Sequence, residues 1–307
     1  GIGAHPAATD PILWRAPQNL VKAAPFFLLW GFSPVIARWA SYAPAQEPHR
    51  ALEVEDRDAL RLAARRTWQF FEAFVTAEDH WLPPDNFQED PQPLVARRTS
   101  PTNIGVYLNA VLAAHDLGWI GDEECLERLE NTLATMQRLV RYRGHFLNWY
   151  DTSSLLPLDP PYVSTVDSGN LMGNLLVVKN AMAGLGEGDH PGAWREGFQD
   201  ALRLLQADLA AMASPPGEAA MRLTELEKLT GDIGADAFDR MGQESTRIAG
   251  LLGDTPAARA GAALAACLPS HARDHGLDPA ARANRVAAIA RPCGSLAPAL
   301  ALSFLFT

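Results

Sequence analysis

Between His145 and Asn170 the chain reads HFLNWYDTSSLLPLDPPYVSTVDSGN, and between His80 and Gly105 it reads HWLPPDNFQEDPQPLVARRTSPTNIG. The two stretches match. His80-Trp81-Leu82 stands 65 positions before His145-Phe146-Leu147, and Ser100-Pro101-Thr102-Asn103-Ile104-Gly105 stands 64 before Ser164-Thr165-Val166-Asp167-Ser168-Gly169. Each copy passes from aromatic and acidic residues through a proline-rich turn into Ser-x-x-(Asn/Asp)-x-Gly, and then into an apolar helical segment. A supersecondary unit repeated about every 65 residues carries its equivalent loops on one face.

Outward from these loops the spacing of apolar residues is helical. Leu60, Ala64, Trp68, Phe71 and Val75 form one stripe over about Glu55–Thr76, which Pro83-Pro84 forbids from continuing. Ile104, Leu108, Val111 and Leu112 share a face of a helix that starts near Thr102 and stops at Gly118. Leu126, Leu129, Leu133, Met136 and Leu139 do the same over Asp122–Arg143, with acids in the first turn, arginines in the last and Gly144 as a stop. Ser164 and Asp167 open a helix over Val166–Gly184 in the manner of a capping box. Further helices follow at about 194–212, 218–230, 235–252, 256–267 and 279–290, before an apolar strip at Leu300–Phe306. No stretch alternates with period two. The chain is all-α, built of antiparallel hairpins. The arrangement predicted is an α/α toroid, with an α-solenoid as the alternative. A closed ring of six hairpins at about 60 residues each needs roughly 360 residues, so the toroid expected here is incomplete.

Composition narrows the function. A net charge of −10 over 307 residues argues against a nucleic-acid surface. Cys125, Cys267 and Cys293 are scattered, and no clustered His/Cys ligand set appears, so neither a disulfide framework, a metal nor any other cofactor is assigned. Residues 1–50 read as linker around an apolar stretch, Ala23–Ala37, that Pro25 and Pro34 interrupt. It is too short for a membrane span, which takes about 20 residues. Either it packs on the flank of the domain, or it lies in a membrane interface with Trp14, Trp30 and Trp39 at headgroup level. Residues 51–307 form the helical domain.

The two loops gather Trp81, Asp85, Asn86, Gln88, Glu89, Arg98, Asn103, Trp149, Tyr150, Asp151 and Asp167. Aromatic faces beside carboxylates, amides and guanidinium groups suit a carbohydrate, whose C–H faces stack on rings while its hydroxyls bridge polar groups. Each residue also has a plainer role open to it. Asn103 and Asp167 stand where helix caps stand, and Arg97 and Arg98 can tie loop carboxylates together. Trp149 and Tyr150 can plug the core, and Asp151 before Thr152-Ser153 can form a turn. His80 and His145 are expected to be loop hydrogen-bonders, and Gly105, Gly169 and Gly173 to allow close helix packing.

The runs RTWQFFEAFVTAEDHWLPPDNFQEDPQPLVARRTSPTNIG, LGWIG, GHFLNWYDT and YVSTVDSGNL closely resemble the glycoamylase-like middle region of cyclic β-1,2-glucan synthases, densely over about Arg66–Leu185. The Trp-rich stretch at 14–39 resembles the segment that follows the membrane helices of that family. The resemblance implies an (α/α)6 toroid in a bacterial inner-membrane enzyme, the chain itself being soluble or peripheral. It also implies a linear β-1,2-glucan that is cyclised by anomer-retaining transglycosylation, and the other modules of the synthase as partners. The catalytic glutamates of the family lie in motifs resembling W-G-I-S-E-S and Y-G-F-Y-E, and neither is present. They are therefore expected beyond Thr307, leaving the catalytic residues unassigned and this chain inactive alone. Two other functions compete: a non-catalytic carbohydrate-binding piece and a helical interaction scaffold.

Overall fold

The computed structural model describes residues 20–42, 52–187, 193–230, 236–253, 255 and 257–300. The chain divides into two compact units, residues 1–53 and 54–307.

The first unit contains α1 (Leu20–Ala40), which runs unbroken through Pro25 and Pro34. Proline removes one backbone donor and usually kinks a helix. Pro34 leaves the carbonyl of Trp30 without its helical partner, and the hydroxyl of Ser33 donates to that oxygen at 2.7 Å. The interruption expected at Pro34 is thereby repaired. Among the described residues no helix is long and apolar enough to cross a membrane. Trp14 and the linker at 43–50 lie outside the described residues.

The second unit holds α2 (Val54–Phe74), α3 (Pro101–Asp116), α4 (Asp122–Arg138), α5 (Thr165–Glu187), α6 (Ala193–Ala210), α7 (Gly217–Thr230), α8 (Ala237–Leu252), α9 (Ala258–Ala272) and α10 (Pro279–Ala299). The all-α class holds, and the contacts give the directions of its first helices. Arg61 of α2 donates to the carbonyl of Leu117 at 3.0 Å, while Phe71 stacks on Tyr107 at 5.3 Å, so α2 and α3 are antiparallel. Tyr107 meets Arg128, and His115 meets Asp122 at 2.6 Å, so α3 and α4 are antiparallel as well. In contrast, α3 and α5 run parallel. Thr102 donates to Asp167 at 2.6 Å, and Asn109 bonds Asn174, so both pairs lie one repeat apart in sequence. Equivalent helices of the two copies therefore lie side by side, and both motif loops enter them from the same end.

Gly105 is required at this seam, because a Cβ there would stand 2.6 Å from Nδ2 of Asn174. Gly169 and Gly173 have nothing within 4 Å, which corrects the packing role expected of them. Two apolar cores result. One joins α2–α5 and α10 through residues such as Trp68, Tyr107, Leu129, Leu175 and Cys293. The other joins α6–α9 around Phe198, Leu205, Met241 and Leu264. All three cysteines are buried and free.

Three further boundaries differ from the sequence reading. Helix α4 ends at Arg138, not Arg143. Arg141–Tyr142 (β4) turns back on His145–Phe146 (β5) through Arg143 and Gly144, whose φ values of +50° and +88° suit a two-residue hairpin turn. Gly144 thus makes a hairpin instead of ending a helix. Helices α9 and α10 continue past Pro269 and Pro292, where buried Leu268 and Ser270 flank the first proline and buried Ile289, Cys293 and Leu296 flank the second. The strip at 301–307 lies outside the described residues.

Candidate functional site

Each motif loop is positioned from behind. In the first, His80 and Trp81 take left-handed φ values of +56° and +60°, a conformation costly for residues with a side chain. Their carbonyls are held by α4, where Thr135 donates to His80 at 2.7 Å and Thr132 to Trp81 at 3.0 Å. Arg97 then clamps Asp79 with both carboxylate oxygens within 2.8 Å, and Thr152 of the second loop donates to the same carboxylate. In the second loop the buried ring of His145 meets the hydroxyl of Ser168 at 3.1 Å. Both histidines therefore sit in loop-holding networks.

The loops are stitched together by two short strands. Arg98–Thr99 (β3) pairs antiparallel with Tyr150–Asp151 (β6), aligning Arg98 with Asp151 and Thr99 with Tyr150. Above this ladder Arg98 reaches Asp85 through Nε and Nη2, and its guanidinium lies 5.2 Å from the ring centre of Trp149. Asp85 also accepts from Asn86 at 3.0 Å and from Asn103 at 3.3 Å.

A second cluster adjoins through consecutive residues, since Asn103 follows Thr102 and Trp149 follows Asn148. Asp167 accepts from Thr102, which itself accepts from Asn170. Trp149 Nε1 and the Tyr162 hydroxyl lie 2.5 and 2.7 Å from one terminus of the Asn148 amide, and Asp167 lies 3.0 Å from the other. The amide oxygen therefore faces the two donors and its nitrogen faces the carboxylate.

The structure thus brings Asp85, Asn86, Arg98, Asn103, Trp149 and Asp167 into linked networks, with Asp151 beside them on the ladder. Five of the expected residues resolve differently. Tyr150 is fully buried; its hydroxyl accepts from the Leu147 amide at 2.7 Å and donates to the Val140 carbonyl at 2.6 Å. Burial pushes its pKa up to about 12. It is a core plug and not a ligand contact. Trp81 packs against the core from a partly buried position. Gln88 and Glu89 are exposed beyond the cluster, Gln88 within the ladder of Phe87–Gln88 (β1) with Leu94–Val95 (β2). Asp151 is the turn former: one oxygen accepts from the Ser154 and Ser153 amides and the Ser154 hydroxyl, and those bonds, the Ser154 amide foremost, hold its pKa below the usual range.

The capping reading of Asn103 and Asp167 is also met in part. Their amides donate to Ser100 and Ser164, which are the caps, so the side chains of Asn103 and Asp167 are free to serve the clusters. The sequence reading missed Asp79, Thr102 and Tyr162. Only Thr102 carried a signal, being one repeat length from Asp167. Among the described residues no group of three or more His, Cys, Asp or Glu side chains is arranged to hold a metal.

No family model matches the sequence. Over 156 residues, 51% of this chain, it is 54% identical to the cyclic β-(1,2)-glucan synthase NdvB of Rhizobium meliloti (strain 1021). The chain is related to a cyclic β-(1,2)-glucan synthase. It spans 6% of the length of that relative. Among solved structures, a glucoamylase-like protein from Bacteroides fragilis NCTC 9343 overlaps 54% of this chain and 38% of its own, at 20% identity and a TM-score of 0.37.

Proposed function

We propose that this chain is the glucan-lining part of a cyclic β-1,2-glucan synthase, belonging to an α/α-toroid region that closes linear β-1,2-glucan by anomer-retaining transglycosylation. The single observation that carries the reading is the Asp85–Arg98–Trp149 contact. It sets an aromatic face beside a fixed guanidinium and carboxylate, and it joins the two repeated loops at the common end of their helices. A sugar ring stacked on Trp149 would present its hydroxyls to Arg98, Asp85 and Asn103.

The chemistry expected of these carboxylates is binding. Retaining glycoside chemistry needs a free nucleophile and a proton donor about 5–5.5 Å apart. Here Asp85 is engaged by Arg98, Asn86 and Asn103, Asp167 by Thr102 and Asn148, and Asp151 by its own turn. A carboxylate with its lone pairs so occupied orients hydroxyls better than it attacks carbon. The same engagement favours a second reading, a carbohydrate-binding piece with no catalytic part. The remaining modules of the synthase are the proposed partners, and α1 supplies a peripheral membrane contact.

Titration with linear β-1,2-glucan while following tryptophan fluorescence tests the groove. The 307-residue chain should respond and Trp149→Ala should lose the response. Silence at millimolar glucan sinks the reading. Analysis for cyclic product separates binding from catalysis, and the chain alone should form none.

A further inference from the structure

The seam between α3 and α5 has a repeat-equivalent face that is left open among the described residues. On α3, Thr102, Gly105 and Asn109 turn toward α5, where they meet Asp167, Asn170 and Asn174. Ser100 and Ser164 cap the two helices alike, so positions 64 apart are equivalent. One repeat on, Thr102, Gly105 and Asn109 become Val166, Gly169 and Gly173 of α5. That face is uncovered. Leu112 of α3 is 6% exposed, whereas its equivalent Leu176 is 43% exposed and Val166 is 69% exposed. A Cβ at Gly105 would strike Asn174, while one at Gly169 or Gly173 would meet nothing within 4 Å among the described residues.

The complement of this face is carried by the same chain. Asp167, Asn170 and Asn174, which receive α3, have Asn103, Val106 and Ala110 as their equivalents on α3. Val106 is about half exposed and Ala110 partly buried, with Ala113 exposed one turn on. Polarity changes on both sides at once. Within the chain the seam is polar, with a hydroxyl and an amide of α3 bonded to a carboxylate and amides of α5. At the open faces Val166 and Gly173 answer Val106 and Ala110, apolar against apolar. Asn103 alone keeps a polar group, at the loop end. Repeating the α3–α5 step once more therefore brings α3 of a second copy against α5.

We propose that two copies of this chain join head to tail, α5 of one seated against α3 of the other in the parallel sense of the α3–α5 seam. Burial of Leu176, Val166 and Val106 drives the contact, and Gly169 and Gly173 let the backbones approach closely. The two faces are unlike, so the contact is heterologous and leaves one open face at each end of a dimer. It sets the first motif loop of one copy beside the second motif loop of the other. The inference uses the repeat geometry alone and holds whether or not the loops bind glucan.

Sedimentation velocity on the full chain tests it. Phe26→Ser and Trp30→Ser are included so that α1 does not contribute, and about 0.5 M NaCl screens the net charge of −10. A seam of one helix pair lies at the small end of interfaces, so a Kd on the order of 100 µM is expected. Leu176→Glu on one face and Val106→Glu on the other should each leave the chain monomeric. Thermal unfolding should not change, because both positions are exposed in the single chain. Mixed in equal amounts, the two variants should form dimers and nothing larger, since each keeps one intact face. A glutamate variant that lowers Tm is replaced by serine at the same position, with the same outcome expected. A self-complementary contact of α5 on α5 would survive Val106→Glu and would not be restored by mixing. A monomer at about 1 mM (roughly tenfold above the expected Kd), association unaffected by either substitution, or no dimer in the mixture would each overturn the proposal.

Discussion

Arg98 grips Asp85 through two nitrogens, at 3.1 and 2.9 Å, while its flat guanidinium lies 5.2 Å from the centre of the Trp149 ring. Asp85 and Arg98 belong to the first repeat and Trp149 to the second, so one side chain holds an element of each loop. Arg98→Ala should therefore disconnect the loops while changing stability little, by at most about 1 kcal/mol, since the Arg98 side chain is half exposed. The tryptophan response to linear β-1,2-glucan should fall sharply. Arg98→Lys keeps the charge and loses the planar fork, so it should restore only a small part of the response. A lysine variant that binds glucan like the wild type would show that charge alone matters and remove the positioning role.

Tyr150 makes the opposite case. Tyr150→Phe leaves the Leu147 amide and the Val140 carbonyl without the hydroxyl that joins them. The expected cost is about 1–3 kcal/mol of stability by urea denaturation, with glucan affinity unchanged. The phenol also sets an alkaline limit. Burial raises its folded pKa to about 12 from an ordinary 10. The neutral form is thus favoured in the folded state, and its stabilisation is complete below pH 10 and lost as pH rises through 12. Tyr150→Phe should flatten that decline, measured as Tm against pH between 9 and 12.

Much of this was legible because the repeat is written twice. The repeat of about 65 residues also predicts which helices lie side by side, and Thr102 and Asn109 meet partners 65 residues on. What the sequence hid has physical causes. The six strands among the described residues are two residues each, too short to show alternation. The helical run at Pro34 survives because Ser33 supplies the missing hydrogen bond, which no spacing rule counts. Tyr150 and Trp149 are adjacent aromatics in a loop, and only the β3–β6 pairing decides that one faces the core and the other the cluster.

Helix α4 receives its N-terminal acceptors from far along the chain. Asp274 accepts from the amides of Asp122 and Glu123 at 3.1 and 2.9 Å, and Ser270 accepts from Gly121 at 2.9 Å. Gly121 has no side chain to cap the helix, and the carboxylate of Asp274 both bonds the free amides and opposes the positive end of the helix dipole. Asp274→Ala should cost about 2 kcal/mol and speed hydrogen exchange at Asp122 and Glu123 relative to the middle of α4. Unchanged exchange there, with Tm also unmoved, would mean that the cap contributes nothing.

Helix α1 is apolar all round. Phe26, Trp30 and Trp39 are about three-quarters exposed, and Lys22 and Arg38 are the only charges along it. A helix of this composition is stable in water only when another phase or surface covers it. An interfacial position would seat Trp30 and Trp39 at the headgroups. The overall charge of −10 opposes an anionic surface, so the chain should float with zwitterionic vesicles at least as well as with anionic ones. Burying one large aromatic side chain yields about 1.5–3 kcal/mol. Phe26→Ser and Trp30→Ser should each reduce partitioning by roughly tenfold, taking the lower half of that range for a side chain at the boundary. The doubly substituted chain should remain in the aqueous fraction with its Tm for residues 54–307 unchanged. Flotation of that variant at the wild-type level would leave α1 without a membrane role.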